Sequence, residues 1–184
     1  MVEILVVIFI ITLFSSILVV SFPKIVRQFA ITRAVYKMSQ DLRRAQDMAL
    51  SGQRIKGINV KGYGVYVNLD NPNLGNKKYV IYAEMNDDQQ YDASGAVCGQ
   101  QLLNQDCFIE EIDFSQTEFG VIIDRIENTN NSSVDINFKP PSPTTTITSL
   151  LPGINRVQII FALESNLLKT RIVSVNMAGL IEIK

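Results

Sequence analysis

Hydrophobic and polar positions follow three successive patterns along this chain. Residues 4–22 form an uncharged apolar run directly after a single acid, Glu3. At the helical rise the run spans ~28 Å, close to the hydrocarbon thickness of a bilayer, and it has no Gly or Pro before Pro23. The pattern predicts one transmembrane helix over residues 1–22. A cleaved secretory signal fits less well, because no basic segment precedes the run and no small-x-small site follows it.

Beyond Pro23 the apolar positions keep a helical period. Their spacings of 4, 3, 4, 3 and 4 predict an amphipathic helical spine over residues 23–52, with Gly52 as its stop signal. Pro23 either opens this second segment or bends one long helix, because it lacks an amide donor. The apolar stripe consists of Ile31, Val35, Met38, Leu42, Ala45 and Ala49.

From residue 55 the period changes to two, which predicts a β-rich globular head over residues 53–184. The expected fold class is therefore α+β, with a long N-terminal helix packed on a C-terminal antiparallel sheet. A hairpin turn is predicted at residues 176–179, and an exposed loop at the Pro-rich residues 140–144. The predicted strands are 55–60, 63–69, 79–84, 108–114, 119–126, 133–138, 155–163, 169–175 and 179–183.

Charge divides the chain into a basic stem and an acidic head. Residues 24–56 carry eight Lys/Arg against two acids, a net of +6, and residues 57–184 carry nine against fifteen, a net of −6. Such a subunit could stack head against a neighbouring stem through complementary fields. A solvated helix face that also attracts anionic headgroups explains the basic stem equally well.

Two short segments of the head could carry chemistry. In an exported domain, Cys98 and Cys107 are most simply a disulfide; two free thiols are the alternative, and zinc is poorly supported because the chain has no His. Asn86, Asp88, Gln90 and Asp92 place oxygens at alternate positions, as in a calcium loop, with Asn86, Asp88 and Asp92 as the candidate ligands. They lack the Gly and the bidentate Glu of that loop, so an Asx-rich turn is the favoured interpretation.

Residue types that support enzyme catalysis are scarce. Without His, the commonest general base is absent, and the acids at residues 110–113 have no evident acid/base partner. Gly62 and Gly64 lack the third Gly of a dinucleotide fingerprint, so they predict a strand or a turn. We therefore expect no enzymatic activity and no cofactor.

The run Val2-Glu3-Ile4-Leu5-Val6-Val7-Ile8 resembles the start of type IV pilins and type II secretion pseudopilins. Residues 38–53 further resemble GspH/FimT-type minor pseudopilins, through Leu42, Arg43, Ala45 and Ala49. The resemblance implies a structural subunit of a pilus or a secretion filament. It implies that Glu3 pairs with the N-terminal amine of a neighbouring subunit. The stripe of Ile31, Val35, Met38, Leu42 and Ala45 is then expected to serve filament packing as well as the head.

The same resemblance implies partners and a location. The expected partners are other pilin or pseudopilin subunits, a prepilin peptidase that removes a basic leader ending in Gly upstream of Met1, and membrane lipid. The head would lie outside the cytoplasmic membrane on a single-pass anchor and enter an extracytoplasmic filament. Lys24, Arg27 and Arg33 alone would favour a cytoplasmic head, so the leader is expected to hold the N-terminus inside.

Two other functions remain open. A DNA-uptake pilin would bind nucleic acid through basic residues, yet residues 179–184 contain no Arg and the head is acidic, so nucleic acid is an unexpected partner. A membrane-tethered enzyme or sensor would need the apolar helix only as an anchor.

Overall fold

The computed structural model describes residues 2–92, 98, 105–140 and 144–184. Its first element is one long helix, α1 (Val2–Leu50), which contains Pro23 and passes without a break through the predicted boundary between anchor and spine. The helix ends as predicted. Gly52 has a φ of 59°, and the backbone amide of Gln53 donates to the carbonyl of Met48 at 3.2 Å. This is the left-handed turn for which Gly is favoured after a helix.

The head contains two antiparallel sheets, which confirms the α+β class. A five-stranded sheet has the order β3-β2-β1-β5-β6, and a four-stranded sheet has the order β4-β7-β8-β9. A short helix α2 (Phe114–Thr117) follows β3, and a 3-10 turn (Gly75–Lys77) precedes β2. The strands are β1 (Gly62–Asn68), β2 (Lys78–Glu84), β3 (Cys107–Asp113), β4 (Val121–Glu127), β5 (Ser133–Lys139), β6 (Thr144–Ile147), β7 (Arg156–Leu163), β8 (Asn166–Asn176) and β9 (Ile181–Ile183).

One predicted strand and one predicted loop differ from the structure. Residues 55–60 form only an isolated bridge, because Lys56 (φ 49°) and Gly57 (φ 82°) turn the chain back on itself. Residues 144–147 form β6, although the neighbouring prolines predicted a loop; residues 141–143 of that predicted loop lie outside the described part of the chain. The hairpin at residues 176–179 is confirmed, with Gly179 at a φ of 80°.

The main core forms where α1 lies on the inner faces of both sheets. The apolar stripe of α1 is fully covered by strands, as a 3.6-residue period on a surface helix predicts. Burial on α1 begins at Ala30, which marks where the head starts to cover the helix. The head therefore folds around the C-terminal half of α1.

A second, smaller core lies on the opposite face of the five-stranded sheet. Tyr82 is completely buried there and its ring contacts that of Tyr91, with centroids 5.1 Å apart. Gly64 is directly opposite Tyr82 on β1, and a Cβ at Gly64 would come within 2.6 Å of the tyrosine ring. Gly64 is thus required by the close approach of Tyr82, and the Gly-Tyr-Gly sequence is a strand feature.

One buried polar contact links α1 to the sheet. The hydroxyl of Tyr79 on β2 donates to Asp41 Oδ2 at 2.5 Å, and Lys37 Nζ donates to Asp41 Oδ1 at 2.8 Å. Asp41 is buried, so its carboxylate depends on these donors for the solvation that it loses on folding. Burial, followed by the charge of Asp41, raises the pKa of the Tyr79 hydroxyl well above its usual value.

We expect Tyr79→Phe to lower the free energy of unfolding by about 1–3 kcal/mol, because it leaves a buried carboxylate with one donor fewer. Asp41→Asn should cost a similar amount, and the double variant should lose less than the sum of the two. The measurement is urea unfolding in detergent micelles, followed by near-ultraviolet circular dichroism. Tyr36→Phe, at an exposed site on α1, is the control and should stay within about 0.5 kcal/mol of the parent. Additive losses would contradict the coupling.

Candidate assembly surface and buried acidic cluster

The N-terminal half of α1 projects from the head without intramolecular cover. Every described side chain from Val2 to Phe29 is exposed, and the helix is long and apolar enough over Val2–Val19 to cross a membrane. This bare portion is ~42 Å long at the helical rise. A water-exposed apolar helix of this length is unfavourable, so it requires lipid or protein around it.

Polar groups in the bare portion are few. Glu3 lies in the first turn of α1, where its negative charge is favoured by the helix dipole. The hydroxyl of Thr12 donates back to the carbonyls of Ile8 and Phe9, both at 2.9 Å. Thr12 is therefore satisfied inside the helix, whereas the carboxylate of Glu3 is the one ionisable side chain between Val2 and Val19.

The structure buries the apolar stripe of α1 inside the head of its own chain. Ile31, Val35, Met38, Leu42 and Ala45 are all buried under the sheets of their own head. The face of α1 that a neighbour can reach is the opposite one, which we call the outer face. It contains Phe29, Arg33, Tyr36, Lys37, Gln40, Arg43, Arg44 and Asp47.

Three described basic side chains of the stem are paired within the chain, two of them with acids of the head. The guanidinium of Arg33 forms a bidentate ion pair with Glu118, at 2.8 and 2.7 Å, and Arg44 Nη1 lies 2.6 Å from Glu110 Oε2. Lys37 pairs with Asp41. Basic side chains of the stem therefore form ion pairs with acids of their own head. These pairs reduce the positive charge that remains for stacking against a neighbouring head.

The second feature is a cluster of buried acids that fastens residues 85–92 to the five-stranded sheet. Glu84 Oε1 accepts the backbone amides of Asn86 (3.2 Å) and Asp87 (2.9 Å). Asp106 accepts the amides of Met85 and Asp92 at 2.9 and 3.2 Å. Asp135 accepts the amide of Tyr91 at 2.9 Å, so a third carboxylate holds the same segment.

Carboxylate oxygens of Glu84, Asp88 and Asp106 lie within 4.8 Å of one another. Burial raises the pKa of Glu84 to about 8, and the neighbouring Asp106 charge contributes to the same rise. Burial also raises the pKa of Asp106, and it raises that of Asp135 to about 6. Asp88 is exposed, whereas Glu84 and Asp106 are buried, and two buried carboxyls this close share a proton or bind a cation.

The sequence-based calcium candidates meet in this region, although not as a common ligand set. The side-chain amide of Asn86 donates to Asp88 Oδ2 at 2.9 Å and to Asp92 Oδ2 at 3.0 Å. Asp88 Oδ1 also accepts the amide of Gln90 at 2.9 Å, which is an Asx-turn contact. Calcium binding by Asn86, Asp88 and Asp92 stays a prediction. Glu84 and Asp106 were missed because they come from β2 and from the residue before β3.

We expect the head to lose stability as pH rises from about 4.5 to about 8, with Glu84 as a main cause. Native Glu84 keeps its proton to about pH 8, whereas the unfolded chain releases it near the usual 4.5, so the unfolded state binds fewer protons across this window. Glu84→Gln keeps an oxygen that accepts the two backbone amides, and it should weaken the dependence of stability on pH. The variant should be more stable than the parent above pH 8. Thermal unfolding between pH 5 and 9 measures this dependence.

The control for this prediction is Glu182→Gln, a surface carboxyl on β9, which should leave the pH profile unchanged. Asp135 should still contribute a slope between its usual 3.8 and about 6 in both variants. A Glu84→Gln profile parallel to that of the parent would contradict the assignment of the proton to Glu84.

Next to this cluster, Cys98 and Cys107 form a disulfide, with Cα atoms 4.9 Å apart, which confirms the predicted pairing. Cys107 opens β3 directly after Asp106, so the bond ties the chain near residue 98 to the edge of the five-stranded sheet. Residues 93–97 and 99–104, on either side of Cys98, lie outside the described part of the chain.

Comparison with solved structures finds two crystal forms of the type IV minor pilin FimU of Pseudomonas aeruginosa. The first is 14% identical, with a TM-score of 0.48, and the match covers 84% of this chain and 87% of that chain. The second is also 14% identical, with a TM-score of 0.46, and the match covers 83% and 91% of the two chains. No protein-family model and no curated protein matches the sequence.

Proposed function

We propose that this chain is a membrane-anchored structural subunit, a minor pilin or pseudopilin, of a type IV pilus or a type II secretion-like filament. The observation that supports it most is the bare N-terminal portion of α1, which continues into the core helix of the head. A rigid helix that is apolar outside the head and fully integrated inside it can carry the head from a bilayer into a helical bundle. An anchor joined by a flexible linker could not transmit that geometry.

In the proposed filament, the carboxylate of Glu3 pairs with a group of the neighbouring subunit. Inside a bilayer or a bundle of apolar helices, an ionised acid needs a partner, and the pilin resemblance implies the N-terminal amine of an adjacent subunit. Pairing of this kind fixes the axial register between neighbouring helices. The outer face of α1 then packs against the neighbour, while the buried stripe holds the head.

The proposed location follows from the cysteines. Disulfides persist in oxidising compartments, so the bond between Cys98 and Cys107 favours a head outside the cytoplasmic membrane. Export through the Sec route, leader removal by a prepilin peptidase and N-terminal methylation are the processing steps implied by the resemblance of residues 2–8 to prepilin motifs.

The test replaces residues 4–22 with an unrelated Leu/Ala helix of the same length and keeps Glu3 and the head. A filament subunit should remain in the membrane and fail to enter the sheared filament fraction, because helix packing depends on the side chains of that segment. Immunodetection in membrane and filament fractions measures both properties. The matched control replaces Thr12 alone with Ala, which removes a self-satisfied hydroxyl.

The same experiment separates the rival function. A membrane-tethered enzyme or sensor needs the helix only as an anchor. Its head would therefore keep its activity when it is attached to the substituted helix. The proposal would be overturned if the chain with the substituted helix entered filaments normally. It would also be overturned if the unaltered chain, with its native helix, were absent from the filament fraction.

A further inference from the structure

An exposed apolar and basic patch lies where the bare part of α1 meets the head. It is formed by the β7–β8 tip, residues 164–171, together with the adjoining turn of α1. Leu168 is 93% exposed and Leu167 is 53% exposed. Leu168, Lys169 and Arg171 line one side of an open groove of about 490 Å³, and Ile25 and Phe29 line the other. Two neighbouring exposed leucines at a hairpin tip are not explained by the folding of the head.

The tip is also an uncovered strand edge. β8 pairs with β7 at Asn166 and from Thr170 to Asn176, with an irregularity at residues 167–169, and β9 pairs only with Val173–Val175. Among the described strands, residues 166–171 of that edge therefore have no neighbour. Leu167, Leu168 and Lys169 lie in the irregularity, where no β7 residue pairs with them, whereas Thr170 and Arg171 pair with Ala162 and Phe161.

The position of the tip along α1 matches the headgroup layer of a membrane. The apolar run ends at Phe22, and Ile25 and Phe29 lie three and seven residues further along the helix. At the helical rise this puts the groove ~4.5 to ~10.5 Å beyond the end of the apolar run. The polar layer of each leaflet occupies roughly the first 5–8 Å outside the hydrocarbon core. Leu168 lines the same groove and is thus at the level of the polar headgroup layer.

The charge around the tip is positive and uncompensated. Arg27, Lys169 and Arg171 are exposed, and no ion pair within the described residues engages them. Two acids at this end of the head are already paired, Glu118 with Arg33 and Glu164 with Lys77. A surface of leucines flanked by free cations is complementary to anionic headgroups over acyl chains.

We infer that the β7–β8 tip docks on the surface of an anionic bilayer when the subunit is anchored and not yet assembled. Leu167 and Leu168 insert at the headgroup boundary, and Arg27, Lys169 and Arg171 contact lipid phosphates. Docking tilts the head onto the membrane and covers the exposed edge of β8. Assembly into a filament must then detach the tip, so the anionic lipid content sets how readily a subunit leaves the membrane. This inference rests on the proposed membrane anchor.

The absence of Trp from the chain makes the test direct. Leu168→Trp places a single fluorescent indole at a site exposed enough to accept it without disturbing the core. The full chain is reconstituted in vesicles of phosphatidylcholine alone or mixed with phosphatidylglycerol, with lipids brominated near the top of the acyl chain. We expect the indole at position 168 to be quenched at least about twofold more in the anionic vesicles, since two or three cations each contribute roughly fivefold in affinity. Quenching should fall in roughly 0.5 M NaCl.

Two controls make the result specific. Lys169→Glu with Arg171→Glu, in the Leu168→Trp background, should abolish the difference between the lipids, whereas Arg43→Glu with Arg54→Glu, at the far end of the stem, should not. Met177→Trp, at an exposed turn near the end of α1, should be quenched in neither vesicle.

Each other outcome overturns the inference in a recognisable way. Equal quenching in both vesicles would remove the anionic surface as the occupant. Quenching or a blue shift that depends on the protein-to-lipid ratio and not on lipid charge would assign the tip to a second copy of the chain. A chain that floats with the vesicles while its indole stays unquenched overturns docking alone, and a chain that fails to float overturns the proposed anchor together with docking.

Discussion

Leu42→Ala is expected to lower the free energy of unfolding of the head by about 2–5 kcal/mol, a large part of the stability of a domain of this size. Leu42 is on the face of α1 that both sheets cover, and its side chain is completely buried. Truncation removes apolar contact and leaves a cavity that the surrounding strands can fill only partly. Denaturant unfolding in detergent, followed by near-ultraviolet circular dichroism, measures the loss.

The matched control is Leu50→Ala, which makes the same chemical change on the same helix at a side chain that is 47% exposed. The change in helix propensity is similar, so the difference between the two variants isolates burial under the sheets. We expect the control to stay within roughly 0.5 kcal/mol of the parent. Equal losses at both positions would mean that the head does not depend on α1 for its core.

The position of Leu42 was predictable because a helix that covers a sheet repeats its apolar residues every 3.6 positions. Ile31, Met38 and Ala45 follow the same period and are all buried. The period could not tell a sheet of the same chain from a neighbouring helix, since both require an apolar stripe. In the structure the head of the same chain covers the whole stripe, and the outer face of α1 is exposed.

Strand prediction failed where local and long-range preferences differ. Ile55 and Val60 alternate as in a strand, but Gly57 provides a left-handed position that closes a turn between them. Thr144 to Ile147 are β-branched and pair with β5 despite the prolines before them. β-propensity depends on what the strand pairs with, and that partner is not visible in a short sequence window.

The polar contacts of the head were the least predictable part. Arg33 and Glu118 are 85 residues apart in sequence, and Glu84 meets Asp106 only because β2 pairs with β3. The sequence signal that was available, the run of oxygen side chains at residues 86–92, correctly marked a polar turn. It could not indicate that buried acids from elsewhere hold that turn to the sheet.

Burial separates the residues that stabilise the head from the residues that are exposed for assembly. The side chains that fold the head lie inside it, so substitutions there should change stability before assembly. The side chains available for assembly lie on the bare part and the outer face of α1, which contribute little to the core. Glu3 is at the extreme end of the second set, ~40 Å along the helix from the first buried turn. Its substitution should therefore affect assembly without unfolding the head.

We expect Glu3→Ala to leave membrane insertion intact and to reduce entry into filaments by at least about a hundredfold. The variant helix is more apolar, so the bilayer accepts it at least as well. In a filament, the proposed partner amine would lose its counter-charge in an apolar bundle, and leaving one member of such a pair alone costs about 3–5 kcal/mol. Glu3→Gln should behave like Glu3→Ala, because the pair depends on the negative charge. Quantitative immunodetection in membrane and filament fractions measures both effects.

The control for Glu3 is Thr12→Ala, which removes a polar group from the same segment without removing a charge. The hydroxyl of Thr12 is already satisfied by the carbonyls of Ile8 and Phe9, so filament entry should stay at the parental level. Site-specific crosslinking between subunits in the membrane identifies the step that fails. Loss of crosslinks in both Glu3 variants places the defect at first contact between helices. Parental crosslinking and filament entry in both would show that Glu3 acts only as a helix-terminal acid, and the register of the filament would then have to come from the outer face of α1.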